Sequence, residues 1–325
     1  MHARTLCAVA TLVAAASGAA GQIVLPAGTD GNVTLAHVDE LVVYHKQREE
    51  LIVQCAVEAA DDAPDFSRLA LVMPVPAAAV GSVAFEDPAV ISEMRSYFRR
   101  GLDESTPPEI AGGYELNVIA GGKDQLPSEA LNDWLNLNGL NTIDRARLDY
   151  YDENGWSFVV ERVHRTSFRG IASLKPIRIS FESVQVTFPV RLMLQGRPLT
   201  ASFFLITKDL FDASQLEDYG FSVRFEPSDS ARLKLKLLPE PVEALVGKLG
   251  RSSTVFKDLR SGHIHACAAS ASFDALDTNR PEWRGELQLA GPHISGYRVT
   301  TTILALAASI AAVVLISRPR KKAQP

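Results

Sequence analysis

The chain has 325 residues, 46% hydrophobic and 22% charged, with a formal net charge of −5. That balance fits a folded domain with an ample core and excludes disordered, collagenous and multi-span membrane classes. The mean hydropathy of +0.04 is raised by two apolar segments, Thr5–Ala16 and Val299–Ser317, one towards each end.

Residues 1–21 read as a secretory signal peptide. Met1–Arg4 carries one Arg and no acid, Thr5–Ala16 is apolar but too short to span a bilayer, and Ser17–Gln22 supplies small residues for a peptidase. An uncleaved N-terminal anchor is the competing reading. Cys7 lies inside the apolar run, badly placed for a lipoprotein cleavage site.

Gln22–Glu40 reads as loop, with Pro26 and the turn pair Asp30-Gly31. Apolar runs follow at Leu41–Tyr44, Leu51–Val57 and Leu69–Val75. In the second, Leu51, Val53, Cys55 and Val57 share one face of a half-buried strand. The spacing of Ile91, Met94 and Phe98 predicts a helix over Ala89–Arg100. Tyr114–Ala120 is a candidate strand. Pro127–Asn138 is a helix with Leu131, Trp134 and Leu135 on its apolar stripe and Gly139 as its stop. A short helix is predicted through Thr142–Tyr150, with Ile143, Ala146 and Leu148 inward. Past Asn154-Gly155 the period becomes two in Trp156–Val163, and it continues through Ile177–Phe181, Val184–Leu194 and Ala201–Thr207. Ala231–Leu238 alternates most regularly, Val242–Leu249 reads as a helix, and Ile264–Phe273 and Trp283–Leu289 as strands. Glu226–Ser230 is the best hinge if there are two domains. Strands outnumber helices, and the helices gather in the middle third. The expected fold is therefore α+β, mainly antiparallel, with a few short helices.

Common catalytic signatures are missing from the sequence: no G-x-S-x-G, H-E-x-x-H, P-loop, C-x-x-C or G-x-G-x-x-G is present. No cofactor is therefore expected, and an enzymatic role is not favoured. Asp152, Asn154, Gly155 and Glu161 imitate part of a calcium loop, but Tyr150 occupies the first ligand position and an Asn-Gly turn into a strand is favoured. Asp61, Asp62 and Asp65 cluster around Pro64, as a solvated loop would. His263, His265 and Cys267 alternate and would share a strand face, where zinc or copper could bind; ordinary packed or surface histidines are the default.

Val299–Ser317 carries no charge over 19 residues and would reach roughly 28 Å as a helix, enough to cross a bilayer. Arg318, Arg320, Lys321 and Lys322 follow, against Arg298 alone on the other flank. That asymmetry predicts a cytoplasmic tail at 318–325 and a domain, 22–298, on the outside. Without Arg4 and the tail cations that domain carries about −10, so nucleic acid is not an expected partner. Signal cleavage would leave Cys55 and Cys267, which could pair as a disulfide in an oxidising compartment.

Several stretches occur in an order that resembles a known family. They are Leu71-Val72-Met73-Pro74-Val75-Pro76-Ala77, Asp133-Trp134-Leu135 with Asn138-Gly139, and Tyr151 through Gly155-Trp156-Ser157-Phe158-Val159. Leu174 through Phe181 and Phe188-Pro189-Val190-Arg191-Leu192 complete the set, which spans Leu41 to Thr207. The chain resembles the bacterial exported family known as domain of unknown function 2330. The resemblance implies a signal peptide, an exported domain and often a C-terminal membrane helix. Many relatives carry a cysteine-bearing segment near the mature N-terminus, and Gln22–Glu40 has none. The family supplies no catalytic residue to transfer. The prolines of the Pro-Val-Pro stretch each remove a backbone donor, so its strand should lie at a sheet edge or end there.

The expected role is a membrane-anchored extracytoplasmic module for binding, envelope structure or assembly, with an envelope protein as partner. The alternative is an exported hydrolase or metal-dependent enzyme with an unrecognised site.

Overall fold

Apolar runs without strict alternation, such as Leu69–Met73 and Phe158–Val160, call for strands covered on both faces. The fold meets that demand with layers. It is taken from a computed structural model and is described for residues 23–26, 33–60, 67–76, 80–98, 107–164, 166, 168–189, 192, 199–207, 216–217, 220–225, 233–234, 263–273 and 287–289. In chain order the first elements are β1 (Ile23–Val24), β2 (Val33–His45), β3 (Arg48–Ala59), β4 (Arg68–Val75), β5 (Val80–Phe85) and helix α1 (Pro88–Phe98). Then come β6 (Gly113–Ile119), α2 (Pro127–Leu137), α3 (Arg145–Glu153), β7 (Ser157–His164), β8 (Gly170–Ser173) and β9 (Ile177–Glu182). The last are β10 (Val186–Phe188), β11 (Leu199–Thr207), β12 (Ser222–Phe225), β13 (Leu233–Lys234), β14 (His263–Phe273) and β15 (Leu287–Leu289).

A small sheet runs β1-β4-β7-β6, and a large one runs β12-β14-β11-β2-β3-β9-β5, with β13 on β14 and β8 on β3; β10 pairs with β15. Pairing is antiparallel except between β2 and β11. The mainly antiparallel expectation therefore holds. Of the three helices among the described residues, α2 and α3 fall in the middle third and α1 precedes it.

The main core lies between the two sheets. Leu69, Leu71 and Met73 of β4 meet Val38 and Val42 of β2, Leu51, Val53 and Val57 of β3, and Phe203 and Leu205 of β11 there. The other face of the small sheet (Ala70, Val72, Phe158 and Val160) packs under the helices through Leu131, Leu135, Leu148 and Tyr151. Thus β4 and β7 are buried on both faces.

Gly139 ends α2 as predicted. It sits at φ +65°, and Leu140 N–H donates to the Leu135 carbonyl at 2.9 Å, closing the helix end. The start of α2 is capped from elsewhere in the chain, since Ser128 donates from both its backbone N–H and its hydroxyl to Asp152. Asp152 is thereby engaged and Glu161 lies in the middle of β7, so the partial calcium-loop pattern is a turn feeding a strand. The third helix starts later than the periodicity predicts. Asp144 caps it by accepting from Ala146 N–H at 3.0 Å. Ala146 is then exposed rather than inward.

Two further expectations change. The supposed loop up to Glu40 contains β1 and the first half of β2. The half-buried reading of Leu51–Val57 is also corrected, because Ile52 and Gln54 on its opposite face are buried as well. The proline expectation holds in its second form. Next to β4, β1 reaches only Ala70 and Leu71, and the strand stops at Val75, just before Pro76.

Several predicted segments lie outside the described residues. These are the signal peptide, the Asp61–Asp65 cluster, the Glu226–Ser230 hinge, the Val242–Leu249 helix and Val299–Ser317. Among the described residues no helix is long and apolar enough to cross a membrane.

Candidate functional site

Strand alternation places His37, Asp39, Leu41 and Val43 on the face of β2 turned away from the main core, where α1 lies. Asp39 is fully buried there, its side chain 0% exposed. Arg95 of α1 donates from Nε to Asp39 Oδ2 at 3.0 Å and reaches the same oxygen with a second nitrogen. On the other side, His37 Nε2 lies 3.0 Å from Asp39 Oδ2. Burial would raise the Asp39 carboxyl, but His37 and Arg95 outweigh it and hold the pKa below its ordinary value.

The array continues to the surface. Thr200 stands directly opposite His37 in the parallel β2–β11 pairing, and His37 Nδ1 is 2.6 Å from the Thr200 hydroxyl. The Ala36 carbonyl, 3.2 Å from the same hydroxyl, is a second acceptor for its one proton. A surface hydroxyl, a partly covered imidazole and a buried carboxylate thus follow one another inward, with the Arg95 guanidinium on the same carboxylate oxygen.

A second group of chemically active side chains occupies the core between the sheets. Glu49 is buried and accepts from Thr187 N–H at 3.1 Å. Burial raises its pKa well above the ordinary value, Thr187 opposes the shift, and neighbouring Glu40 adds to it. Glu161, on the inward face of β7, is also fully buried. No side chain among the described residues hydrogen-bonds either of its oxygens. Burial pushes its pKa well up, a hydrogen bond from the Lys175 backbone N–H opposes the shift, and Glu109 raises it further. Cys55 shares this core. Burial raises its thiol pKa first, and Glu161, Glu40 and Asp39 raise it further.

A thiol held neutral and covered is a poor nucleophile. The native protein is therefore expected to leave the Cys55 peptide unmodified by iodoacetamide at pH 8, with full modification only in denaturant. Peptide mass spectrometry measures this, and rapid native alkylation would show that the sheets open readily.

Cys55 and Cys267 are not brought together. Cys267 stands opposite Leu205, Leu205 opposite Val42, and Val42 opposite Leu51. Three strand spacings, about 14 Å, and four residues along β3, about 13 Å, separate the two cysteines. A disulfide needs Cα atoms within about 7 Å, and Cys55 is free. The expected pairing is corrected on that ground.

His263, His265 and Cys267 do lie on one strand in alternating positions, with His263 opposite Lys234 and His265 opposite Thr207. Their side chains lie outside the described residues. Among the described residues no three His, Cys, Asp or Glu side chains converge as metal ligands.

The outer-face array escapes sequence reasoning because His37 and Thr200 are 163 positions apart. The one local signal is the His37-x-Asp39 spacing, which shares a face only once the segment is recognised as a strand.

The flank where the sheets end carries a different feature. Among the described residues β6 pairs only with β7, β5 only with β9, and β8 pairs as a strand only with β3. Phe85 of β5 packs edge-on against Tyr114 of β6 with ring centroids 5.8 Å apart. Lys175 Nζ lies 4.7 Å from the Tyr114 ring centroid.

Residues 108–217 match the model of a family described as an uncharacterized protein conserved in bacteria (DUF2330). The recognition made from sequence motifs is thus borne out. The match covers all the motif stretches from Asp133 onwards and leaves out Leu71–Ala77. No curated protein matches the chain. Among solved structures, the crystal structure of baculovirus P35 is similar at 11% identity and a TM-score of 0.37, over 61% of this chain and 72% of that one. A superposition that loose bears on neither fold nor function.

Proposed function

We propose that this chain, with its DUF2330 region, is a membrane-anchored extracytoplasmic binding module that engages an envelope protein through the free edge of its small sheet. Residues 1–21 export it, Val299–Ser317 holds it in the membrane, and the basic tail stays in the cytoplasm. The observation that supports binding is the composition of the flank. Three strand-borne large hydrophobics are exposed, Phe85 at 40%, Val118 at 48% and Ile171 at 49%, and they lie on β5, β6 and β8. The β6 edge runs seven residues without a register shift, and it holds neither proline nor lysine. Those are the devices that normally blunt an edge against pairing. An extended partner segment could add there as a further strand, with backbone hydrogen bonds giving affinity and alternate side chains giving specificity.

The test is a pull-down of the native membrane protein with mass spectrometry, comparing the parent with Val118→Lys. An exposed substitution there should change stability by no more than about 0.5 kcal/mol. A reproducible envelope partner lost in the variant is expected, and a partner retained equally by both proteins overturns the edge assignment. Protease added from outside should degrade the large domain and spare the tail. The opposite pattern overturns the orientation.

A further inference from the structure

We propose that Thr200, His37 and Asp39 form a nucleophilic site that accepts the acyl group of carboxylic esters. The case rests on distance, order and depth. The hydroxyl and the near imidazole nitrogen are 2.6 Å apart, and the far nitrogen is 3.0 Å from a carboxylate oxygen. Exposure falls along the series: Thr200 is exposed, the His37 side chain is 21% exposed, and Asp39 is 0% exposed. A nucleophile, a base and a group that orients the base need that sequence, because the first must meet substrate and the last must not meet water.

With the imidazole proton on Nε2, the nitrogen 3.0 Å from the Asp39 carboxylate, Nδ1 is the acceptor that faces the hydroxyl. Arg95 holds the same carboxylate oxygen, Oδ2, that His37 faces, so Asp39 acts as a positioning residue. The parallel register sets the hydroxyl opposite the imidazole, and the Ala36 carbonyl, 3.2 Å away, is the other acceptor within reach of the hydroxyl proton.

In the first step Thr200 Oγ1 forms a bond to the acyl carbon while His37 Nδ1 takes the hydroxyl proton. The ester C–O bond then breaks, and the alcohol leaves with that proton from His37. A water molecule next attacks the acyl-threonine and gives its proton to Nδ1. The threonine ester bond breaks, Thr200 recovers a proton from His37, and a carboxylic acid departs. The step needs only the ester and water. This site is independent of the edge proposed for partner binding.

The full-length protein in detergent should be treated with p-nitrophenyl acetate and, separately, with a fluorophosphonate, followed by peptide mass spectrometry. A covalent adduct is expected on Thr200 and not on Thr142, which is exposed before α3 without this array. Thr200→Val should abolish the adduct with folding unchanged by circular dichroism. His37→Gln should slow its formation by about 100-fold. An unlabelled parent, an adduct that survives Thr200→Val, or a labelling rate unchanged by His37→Gln each overturns the proposal.

Discussion

A Glu161→Leu chain is expected to unfold at a higher temperature than the parent at pH 8, and the difference should shrink as the pH falls towards 5. Glu161 is buried between the two sheets without a side-chain hydrogen bond, and burial, against a Lys175 backbone hydrogen bond, raises its carboxyl well above the ordinary value of 4.5. The sign follows from proton binding. The unfolded chain releases its proton near 4.5, whereas the folded chain keeps it to a higher pH. The folded state therefore binds the extra proton, and its stability is fully present below 4.5 and declines as the pH rises through the folded value. Within that window each pH unit costs about 1.4 kcal/mol per group. Glu49 shares the direction and the cause. Leu supplies similar volume without a polar group to desolvate or a proton to bind. Thermal unfolding of parent and variant at several pH values measures the effect. A variant less stable than the parent at pH 8, with the same pH slope, would mean that Glu161 is ionised and paired. Glu161→Gln separates loss of titration from gain of apolar contact.

The second large effect has the opposite sign. Arg95→Ala is expected to destabilise the protein by about 3–5 kcal/mol, the usual cost of stripping one partner from a buried charge. Asp39 would be left with 0% exposure and only His37 beside it. Burying both positions under apolar groups, as Asp39→Leu with Arg95→Met, should recover most of the loss because no charge then remains to desolvate. Denaturant unfolding of the two variants checks this, and equal stability of parent and Arg95→Ala would show that α1 does not depend on the pair. Asp39 adds an acid limb to the pH profile. Its folded pKa is lowered from 3.8, so its contribution is present above that value and disappears as the pH falls through the folded one. Asp39 thus acts on the pH dependence in the opposite direction to Glu49 and Glu161.

Much of the fold was legible from local pattern. Gly139 as a helix stop, the Leu131–Leu135 stripe and the strands at Leu69–Val75 and Ala201–Thr207 appear where spacing and turn chemistry predict them. The misses have physical causes. The β2–β3 hairpin turns on Lys46 and Gln47, both at positive φ, and neither residue carries a turn signal of the Asn-Gly kind. The third helix begins at its Asp144 cap rather than at the first apolar residue. Alternation in β3 pointed to one buried face, but a sheet covered on both sides buries Ile52 as well as Leu51.

The candidate sites were far less legible. Cysteine count and compartment allowed Cys55 to pair with Cys267, whereas strand order sets three spacings between them. His37 and Asp39 were hidden in a stretch that reads as loop, and Thr200 meets them only because β11 runs parallel to β2 in one particular register.

The sequence by itself determined many of the strands and helices, where several of them stop, and the resemblance to the family whose model matches 108–217. These depend on spacing, turn chemistry and motif order within short windows of chain. Only the tertiary structure decided which acids are buried, which cysteines stay apart, and which hydroxyl stands beside which imidazole. Those depend on strand order and register, which bring together groups that share no local pattern, and burial then alters their chemistry.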